Sequence, residues 1–170
     1  MLLAAGATPL AAQPKSDWET AREERDWKEN AFTLPVYPKA ADLVEIYVGE
    51  ATSFKFFVDP ASVSVGDDGV VRYTLVARSS SGAENISFEG LRCRSGIVRA
   101  YAFGSRDGRW TPGRTEWRPI HSKGAQGSQF ILWRNYFCPH SVPIRDSADG
   151  ISALRNGGHR DAPRAEMFGR

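Results

Sequence analysis

The sequence predicts an α+β domain, in which an antiparallel meander of about six strands is covered on one face by C-terminal helices and preceded by an extended N-terminal arm. Three observations lead to this fold class. Apolar residues alternate with polar ones through the middle of the chain, and turn pairs such as Asp68-Gly69 separate the alternating runs. Aromatic residues recur at helical spacing near the C-terminus. The two cysteines, Cys93 and Cys138, end a predicted strand and a predicted helix.

The first strands follow one another through short turns. We predict a strand over residues 43–48, a second over residues 54–58 and a short third over residues 63–65. A tight hairpin at residues 66–69 leads into a fourth strand over residues 70–78. Consecutive strands joined in this way pair as neighbours in an antiparallel sheet.

The fourth and fifth predicted strands define the core face. Tyr73 is predicted to face the core, and Ile86 and Phe88 are predicted to point to the same side. The alternation then slips, and Leu91 regains the core side only with an extra residue. We therefore predict a β-bulge at the Glu89-Gly90 pair. The run IVRAYAF forms the sixth strand.

The cover of the sheet is predicted at the C-terminus. A helix over residues 128–137 would be capped by its first serine, with Phe130, Trp133 and Phe137 at i, i+3 and i+7 on one face. A second short helix is predicted over residues 147–156, before a Gly-Gly pair that can end it.

The chain divides into four segments. Residues 43–156 form the predicted α+β domain. Residues 13–42 hold a charged helix, which opens on a capping-box pattern, and a Pro-rich connection that contains the arm. Residues 157–170 are predicted to be a disordered tail, and residues 1–12 are interpreted as the remnant of a truncated signal peptide.

The signal-peptide interpretation depends on a short apolar run that ends in small residues before the polar Gln13. The positively charged beginning of a signal peptide is missing. A start assigned too far downstream would explain this, and the alternative is an uncleaved, disordered N-terminus. We favour the truncated signal, which predicts export to the periplasm.

The even cysteine count supports the same compartment. An even number of cysteines in an exported chain predicts a disulfide, here Cys93–Cys138. In the chain-entropy model, closing a loop of this length contributes roughly 4 kcal/mol. The alternative is a pair of unrelated buried thiols.

Charge is segregated along the chain although the net charge is only +2. Residues 13–68 carry 6 Lys and Arg against 12 Asp and Glu, whereas residues 91–134 carry 9 against 2. We favour packing of the acidic part across the basic part within one molecule. The alternative is a partner surface.

Several motifs together suggest a family. They are an LP-V-P pattern, FFVDPASVSV, DGVVRY, GAENISFEGLRC, and YAFG followed by Trp110 and Trp117, spread over about residues 26–138. The combination resembles the CNP1-like family, a group of exported proteins found mainly in β-proteobacteria. The resemblance implies an envelope location and a connection with the maintenance of type IV pili. It implies no catalytic residues.

No residues form a recognisable catalytic, metal-binding or cofactor-binding motif. His121, His140 and His159 lie far apart without metal-ligand spacing, and we interpret them as exposed loop residues. Cys138 and His140, which Pro139 separates, are set aside as a nucleophile and base because a disulfide would consume the sulfur. We therefore predict neither a metal site nor a cofactor, and no enzyme activity.

Two groups of residues are candidates for binding. The first is polar: Glu89 and Arg92 flank the predicted bulge, and Arg72 lies on the preceding strand. We expect a cross-strand ion pair, with a recognition patch as the alternative. The second group is aromatic and basic, and can be local packing or an interface. Its members are Tyr101, Arg106, Arg109, Trp110, Arg114, Trp117, Arg118 and Trp133.

The sequence thus favours a non-catalytic structural or interaction protein of the cell envelope, with an envelope or pilus-associated protein as its partner. The alternative is a module that binds an anionic envelope ligand, a glycan or a lipid headgroup, through the Arg and Trp side chains. Near-neutral charge and export argue against nucleic acid. No apolar run reaches the ~18–20 residues of a transmembrane segment.

Overall fold

The computed structural model describes residues 16–49, 52–122 and 127–163. The predicted signal remnant, residues 1–12, lies outside the described residues, as does the end of the predicted tail, residues 164–170.

One antiparallel sheet forms the centre of the domain. Its strands follow chain order from β1 to β6, and β7 also pairs with β5. The prediction of an antiparallel meander is therefore confirmed. The strands are β1 (Val44–Ile46), β2 (Phe54–Val65), β3 (Val70–Ser79), β4 (Glu84–Arg92), β5 (Ile97–Gly104), β6 (Trp110–Pro112) and β7 (Arg118–Pro119).

The second and third predicted strands are one strand, β2, with an irregular middle. Residues 60–63 of β2 lie opposite the single residue Tyr73 of β3. Pro60 has no N–H to give to the ladder. The Ser62 hydroxyl bridges the gap, since it donates to the Asp59 carbonyl oxygen and accepts from the Thr74 amide, each at 2.7 Å.

The predicted bulge at Glu89-Gly90 is wrong. β4 pairs with β3 without interruption, and the extra residue is Tyr101 of β5. Along β4, Phe88 therefore faces one side of the sheet, while Glu89 and Leu91 face the other. The prediction failed because it assumed a single apolar face, whereas both faces of this sheet are buried.

Helices lie at both ends of the chain. At the C-terminal end, α2 is short and continues directly into a π-helical turn, in which the Cys138 amide donates to the Trp133 carbonyl at 2.9 Å. The elements are α1 (Asp17–Asp26), a 3₁₀ turn (Ala40–Asp42), α2 (Gly127–Ile131), the π-helical turn (Leu132–Phe137), a second 3₁₀ turn (Pro139–Ser141) and α3 (Ser147–Arg155).

The π-helical turn changes which side chains face the sheet. Tyr136 and Phe137 are both buried, whereas Phe130 and Trp133 are only partly buried. The predicted i, i+3, i+7 face is therefore right for Phe137 and in part for Trp133, which packs against the same core. The serine predicted as the helix cap, Ser128, lies inside α2.

The C-terminal helices cover one face of the sheet, as predicted; we call it the helix face. Its core includes Tyr73, Leu91 and Phe137, whose rings and side chains pack between the sheet and the helices. The other face is covered too, by the arm, which we define as residues 27–39; we call it the arm face. α1 contacts its edge through Glu23 and Glu24.

The predicted disulfide is confirmed. Cys93 and Cys138 are bonded, with their Cα atoms 5.2 Å apart, and both are buried in the core of the helix face. The bond joins the end of β4 to the end of the π-helical turn.

Ordered structure continues past Asn156, the last residue of the predicted domain. Gly157 adopts φ +71°, a left-handed conformation suited to a glycine after a helix. The His159 amide then donates to the Asn135 carbonyl at 2.7 Å. The His159 side chain is 6% exposed and lies 3.3 Å from Asp149, so its interpretation as an exposed loop residue is wrong.

Candidate functional site: the arm face

The arm crosses its face of the sheet in an extended conformation, and three aromatic side chains anchor it. Trp27, Phe32 and Tyr37 are spaced five residues apart. Each anchor contacts an aromatic residue that the sequence suggested for binding, at centroid distances typical of ring pairs. The pairs are Trp27–Trp117 at 5.8 Å, Phe32–Tyr101 at 4.1 Å and Tyr37–Trp110 at 5.2 Å.

Polar groups on these rings fix the position of the arm along the sheet. The Trp27 indole donates to the Asp68 carbonyl at 2.8 Å, and the Tyr37 hydroxyl donates to the Ser105 carbonyl at 2.8 Å. In the opposite direction, the Trp110 indole donates to the Pro35 carbonyl at 2.9 Å. The arm is therefore held in one register.

Glu29 is a carboxylate near the N-terminal end of the arm, between Trp27 and Phe32. It accepts a hydrogen bond from the Tyr101 hydroxyl at 2.5 Å and another from Arg99 at 2.9 Å. The Arg72 guanidinium lies 3.8 Å away. Burial, followed by the hydrogen bond to Glu29, raises the pKa of Tyr101. The phenol is therefore neutral and acts as a donor.

A second carboxylate, that of Asp68, lies at the edge of the same face, and its side chain is fully buried. Arg72 donates to it at 2.7 Å, and the Asn30 amide of the arm donates to it at 2.9 Å. Burial alone would raise the pKa of Asp68, but the hydrogen bonds from Arg72 and from the backbone amides of Asn30 and Val70 outweigh burial and lower the pKa.

α1 continues the charge pairing beyond the arm. Arg92 stacks over the Trp27 ring at 4.0 Å and pairs with Glu24 at 2.9 Å. Arg94 pairs with Glu23 at 3.0 Å. The acidic N-terminal part of the chain therefore packs across the basic part within one molecule, which confirms the favoured prediction from the charge pattern.

Five of the eleven predicted binding residues meet on the arm face. Of the other six, Glu89 and Trp133 lie on the helix face, and four arginines are exposed: Arg106, Arg109, Arg114 and Arg118. The Arg109 side chain is 81% exposed in the turn between β5 and β6, where it pairs with Asp107. The five that meet are Arg72, Arg92, Tyr101, Trp110 and Trp117.

Glu89 lies on the helix face, so the expected cross-strand pair with Arg72 is wrong. Its carboxylate is buried and accepts from the Tyr73 hydroxyl at 2.9 Å and the Ser87 hydroxyl at 2.7 Å. The Gln129 side-chain amide donates a further hydrogen bond to this carboxylate at 3.2 Å. Register explains the difference, because Glu89 is paired with Tyr73 rather than with Arg72.

Sequence reasoning missed the partners in the arm and one arginine. A signal for them was present, since three aromatic residues recur at a spacing of five, with a glutamate between the first two. The missed arginine, Arg99, lies on β5 two residues before Tyr101. The missed residues are Trp27, Glu29, Phe32, Tyr37 and Arg99.

Other clefts lie at the surface. One of about 520 Å³ lies beside α3 and is lined in part by Arg145, Asp149 and His159. Hydrogen bonding from Arg145 lowers the pKa of Asp149. In the part of the chain that the structure describes, no group of three or more His, Cys, Asp or Glu residues is placed to hold a metal ion. Within that same part, no helix is long and apolar enough to span a bilayer.

Comparison with known proteins identifies the family. The model of the CNP1-like family matches residues 22–155, a region that begins within α1 and ends at the last residue of α3. A similar protein is Cryptic neisserial protein 1 of Neisseria gonorrhoeae, which is 30% identical over 173 residues, or 92% of this chain and 84% of that protein. No solved structure matches the chain. The chain belongs to the CNP1-like family.

Proposed function

We propose that this protein is an exported, non-catalytic structural or interaction protein of the cell envelope. The observation that carries the proposal is the disulfide between Cys93 and Cys138, both buried in the core. Such bonds form and persist in oxidising compartments, of which the bacterial periplasm is one. The signal-like pattern of residues 1–12 supports the same location.

The partner is proposed to be an envelope or pilus-associated protein. Family membership supports this proposal, because the resemblance to CNP1-like proteins implies a connection with type IV pilus maintenance. The arm face supports an interaction role in particular. It concentrates Trp, Tyr and Arg, the residue types that dominate protein interfaces.

The binding of an anionic glycan or lipid headgroup is less well supported. Arg72, Arg92 and Arg99 each have a carboxylate partner from the same chain. Paired cations attract a polyanion less than free ones do, since the partner charge cancels much of the field.

Fractionation of native cells tests the proposal. We expect the protein in the periplasmic fraction, with both cysteines resistant to a thiol-labelling reagent in denaturant until a reductant is added. Crosslinking in intact cells, followed by mass spectrometry, should then join it to an envelope protein. Recovery from the cytoplasm with two labelled thiols would contradict the proposed location.

A further inference from the structure

We infer that the arm face is a binding groove for an extended segment of a partner protein that carries spaced aromatic residues, with an acidic residue between the first two. The chain's own arm fills this groove as a displaceable strap. The inference rests on the proposed interaction role and names the chemistry of the partner.

Side chains, not a backbone ladder, hold the arm. Among the described residues, no main-chain to main-chain hydrogen bond joins residues 27–38 to the sheet. The contacts are ring pairs, ion pairs and single hydrogen bonds between side chains and carbonyl groups. A groove that recognises side chains accepts any segment with suitable side chains at the same spacing.

The arm fills the groove incompletely. A cavity of about 250 Å³, partly open to solvent, lies beside the arm and is lined by residues 30–33, residues 64–66, Arg72 and Phe88. Within the part of the chain that the structure describes, the guanidinium Nε atoms of Arg72 and Arg99 are buried without a hydrogen-bond partner. Unmet buried donors are unfavourable. A segment that brings a further acceptor and fills the cavity would therefore complement this groove better than the arm does.

The N-terminal end of the strap is the weakest part. The pair between Arg94 and Glu23 is about half exposed on both sides, and Ser95 meets Glu24 through an exposed hydrogen bond. Exposed pairs of this kind contribute little and are screened by salt. α1 also pairs with Arg92 through Glu24, a pair that is less exposed. When these pairs open, the next contacts that a competing segment must replace are those of Trp27, with the Trp117 ring and the Asp68 carbonyl.

Charge complementarity defines the occupant. Arg72, Arg92 and Arg99 lie among the aromatic side chains of the groove, and Glu29 lies between two of them. An acidic side chain flanked by aromatic residues satisfies both features. A basic segment would meet uncompensated arginines and be rejected.

A labelled peptide tests this inference directly. The probe is a fluorescent synthetic peptide of residues 22–38, REERDWKENAFTLPVYP. The target is the full chain carrying Trp27→Ala and Phe32→Ala, whose own arm is weakened. We expect saturable one-to-one binding, at least about tenfold tighter than to the unsubstituted chain, where the intact arm competes for the groove.

A charge-swap pair controls for non-specific binding. A peptide with Glu29→Arg should lose binding to the weakened chain. It should regain binding to the weakened chain that also carries Arg99→Glu, because the cation and the anion have changed places. Circular dichroism checks that the chain with Trp27→Ala and Phe32→Ala is folded. If it is not, a chain with Glu24→Gln and Glu29→Gln replaces it as the target, because that variant keeps all the aromatic anchors.

Three results would overturn the inference. One is equal binding to the weakened and unsubstituted chains. Another is no binding while limited proteolysis shows that the arm is released. The third is a concentration-dependent dimer of the weakened chain without peptide, which would assign the groove to a second copy. Because binding is measured with purified protein, its failure is distinguishable from failure of the proposed envelope location.

Discussion

The Tyr101 hydroxyl donates a hydrogen bond of 2.5 Å to Glu29, across 72 residues of sequence. The same phenol ring stacks on Phe32 of the arm and lies directly over Gly90 of β4. One side chain therefore contacts the arm and the two central strands of the arm face. Changes that move this ring should affect both stability and the attachment of the arm.

Gly90→Ala should displace the Tyr101 ring. A methyl group at Gly90 would meet two ring carbons of Tyr101 at 2.9 Å, too close for any real contact. We expect a loss of about 1–3 kcal/mol in the free energy of unfolding, the usual result of overpacking, and faster tryptic cleavage within the arm. Urea unfolding and limited proteolysis measure the two effects.

Gly127→Ala is the matched control for this change. There the added methyl would meet only Val48, at 3.7 Å, which is ordinary contact. This variant should keep the stability and the cleavage rate of the unsubstituted chain. Equal behaviour of the Gly90 and Gly127 variants would show that the ring over Gly90 is not tightly held.

Alkaline pH should destabilise the fold through buried phenols. Burial raises the pKa of Tyr101 and of Tyr73 in the folded chain, whereas both titrate near 10 when unfolded. The contribution of the two neutral phenols to the free energy of unfolding is therefore complete below about pH 10, and it is lost as the pH rises further. Urea midpoints from pH 7 to 11 should fall at the alkaline end.

Tyr101→Phe separates the contribution of Tyr101 from the rest. At neutral pH the free energy of unfolding should fall by about 1 kcal/mol, because the variant lacks the hydrogen bond to Glu29. The variant should also show a shallower alkaline decline, because one titrating group is gone. An unchanged slope would mean that the Tyr101 phenol does not stay neutral in the folded chain.

The sequence was sufficient for the features that depend on local pattern. Alternation and turn residues predicted the meander, and the even cysteine count predicted the pair Cys93–Cys138. Charge segregation predicted that the acidic part packs across the basic part. Each of these depends on short-range periodicity or on composition, which a single chain displays directly.

The second buried face was beyond such reasoning. The prediction assigns Phe88 and Leu91 to one core face, so the odd spacing between them implies an extra residue; in fact they lie on opposite faces. Burial of both faces removes the polar and apolar contrast that marks a face. The arm contacts join residues from 38 to 90 positions apart, and no local pattern encodes them. Side chains such as Glu29 acquire their role only when the chain has folded back.

Acid should release the arm through Asp68. Hydrogen bonds from Arg72 and two backbone amides lower its folded pKa below the unfolded value near 3.9. This stabilisation is present above about pH 4 and is lost as the pH falls through the folded pKa. Asp68→Asn should cost about 1.5–3 kcal/mol at pH 7, the range for hydrogen bonds to charged groups.

The acid effect is measured by urea unfolding between pH 2.5 and 7. The Asp68→Asn variant should show a flatter profile below pH 4 than the unsubstituted chain. The exposed Asp67 next to it provides a control, and Asp67→Asn should leave the profile unchanged. Parallel profiles for all three chains would contradict the assigned role of Asp68.

Removal of the disulfide should lower stability without changing the arm face. Replacing Cys93 and Cys138 together with alanine opens a closed loop, and the chain-entropy model predicts a loss of roughly 4 kcal/mol. Urea unfolding of the oxidised chain and of the variant gives the difference. A loss well under 1 kcal/mol would show that the unfolded chain gains little freedom from the missing bond.

Glu89 should contribute to stability and not to binding on the arm face. Its buried carboxylate accepts from the hydroxyls of Tyr73 and Ser87 and from the Gln129 amide. Glu89→Gln keeps the shape but sets an amide donor against the amide of Gln129. We therefore expect a loss of about 1–3 kcal/mol, the cost of a buried polar group left without a partner.

Glu84→Gln is the control for Glu89→Gln, since Glu84 forms only a partly exposed pair with Arg78. It should cost less than about 1 kcal/mol. In the weakened-arm chain, neither change should alter binding of the peptide of residues 22–38. The Glu89 side chain lies behind the sheet from the groove, so any weakening of peptide binding would have to come from a shift of β4 itself. If Glu89→Gln lowered the peptide affinity without changing the stability, Glu89 would be shown to take part in binding.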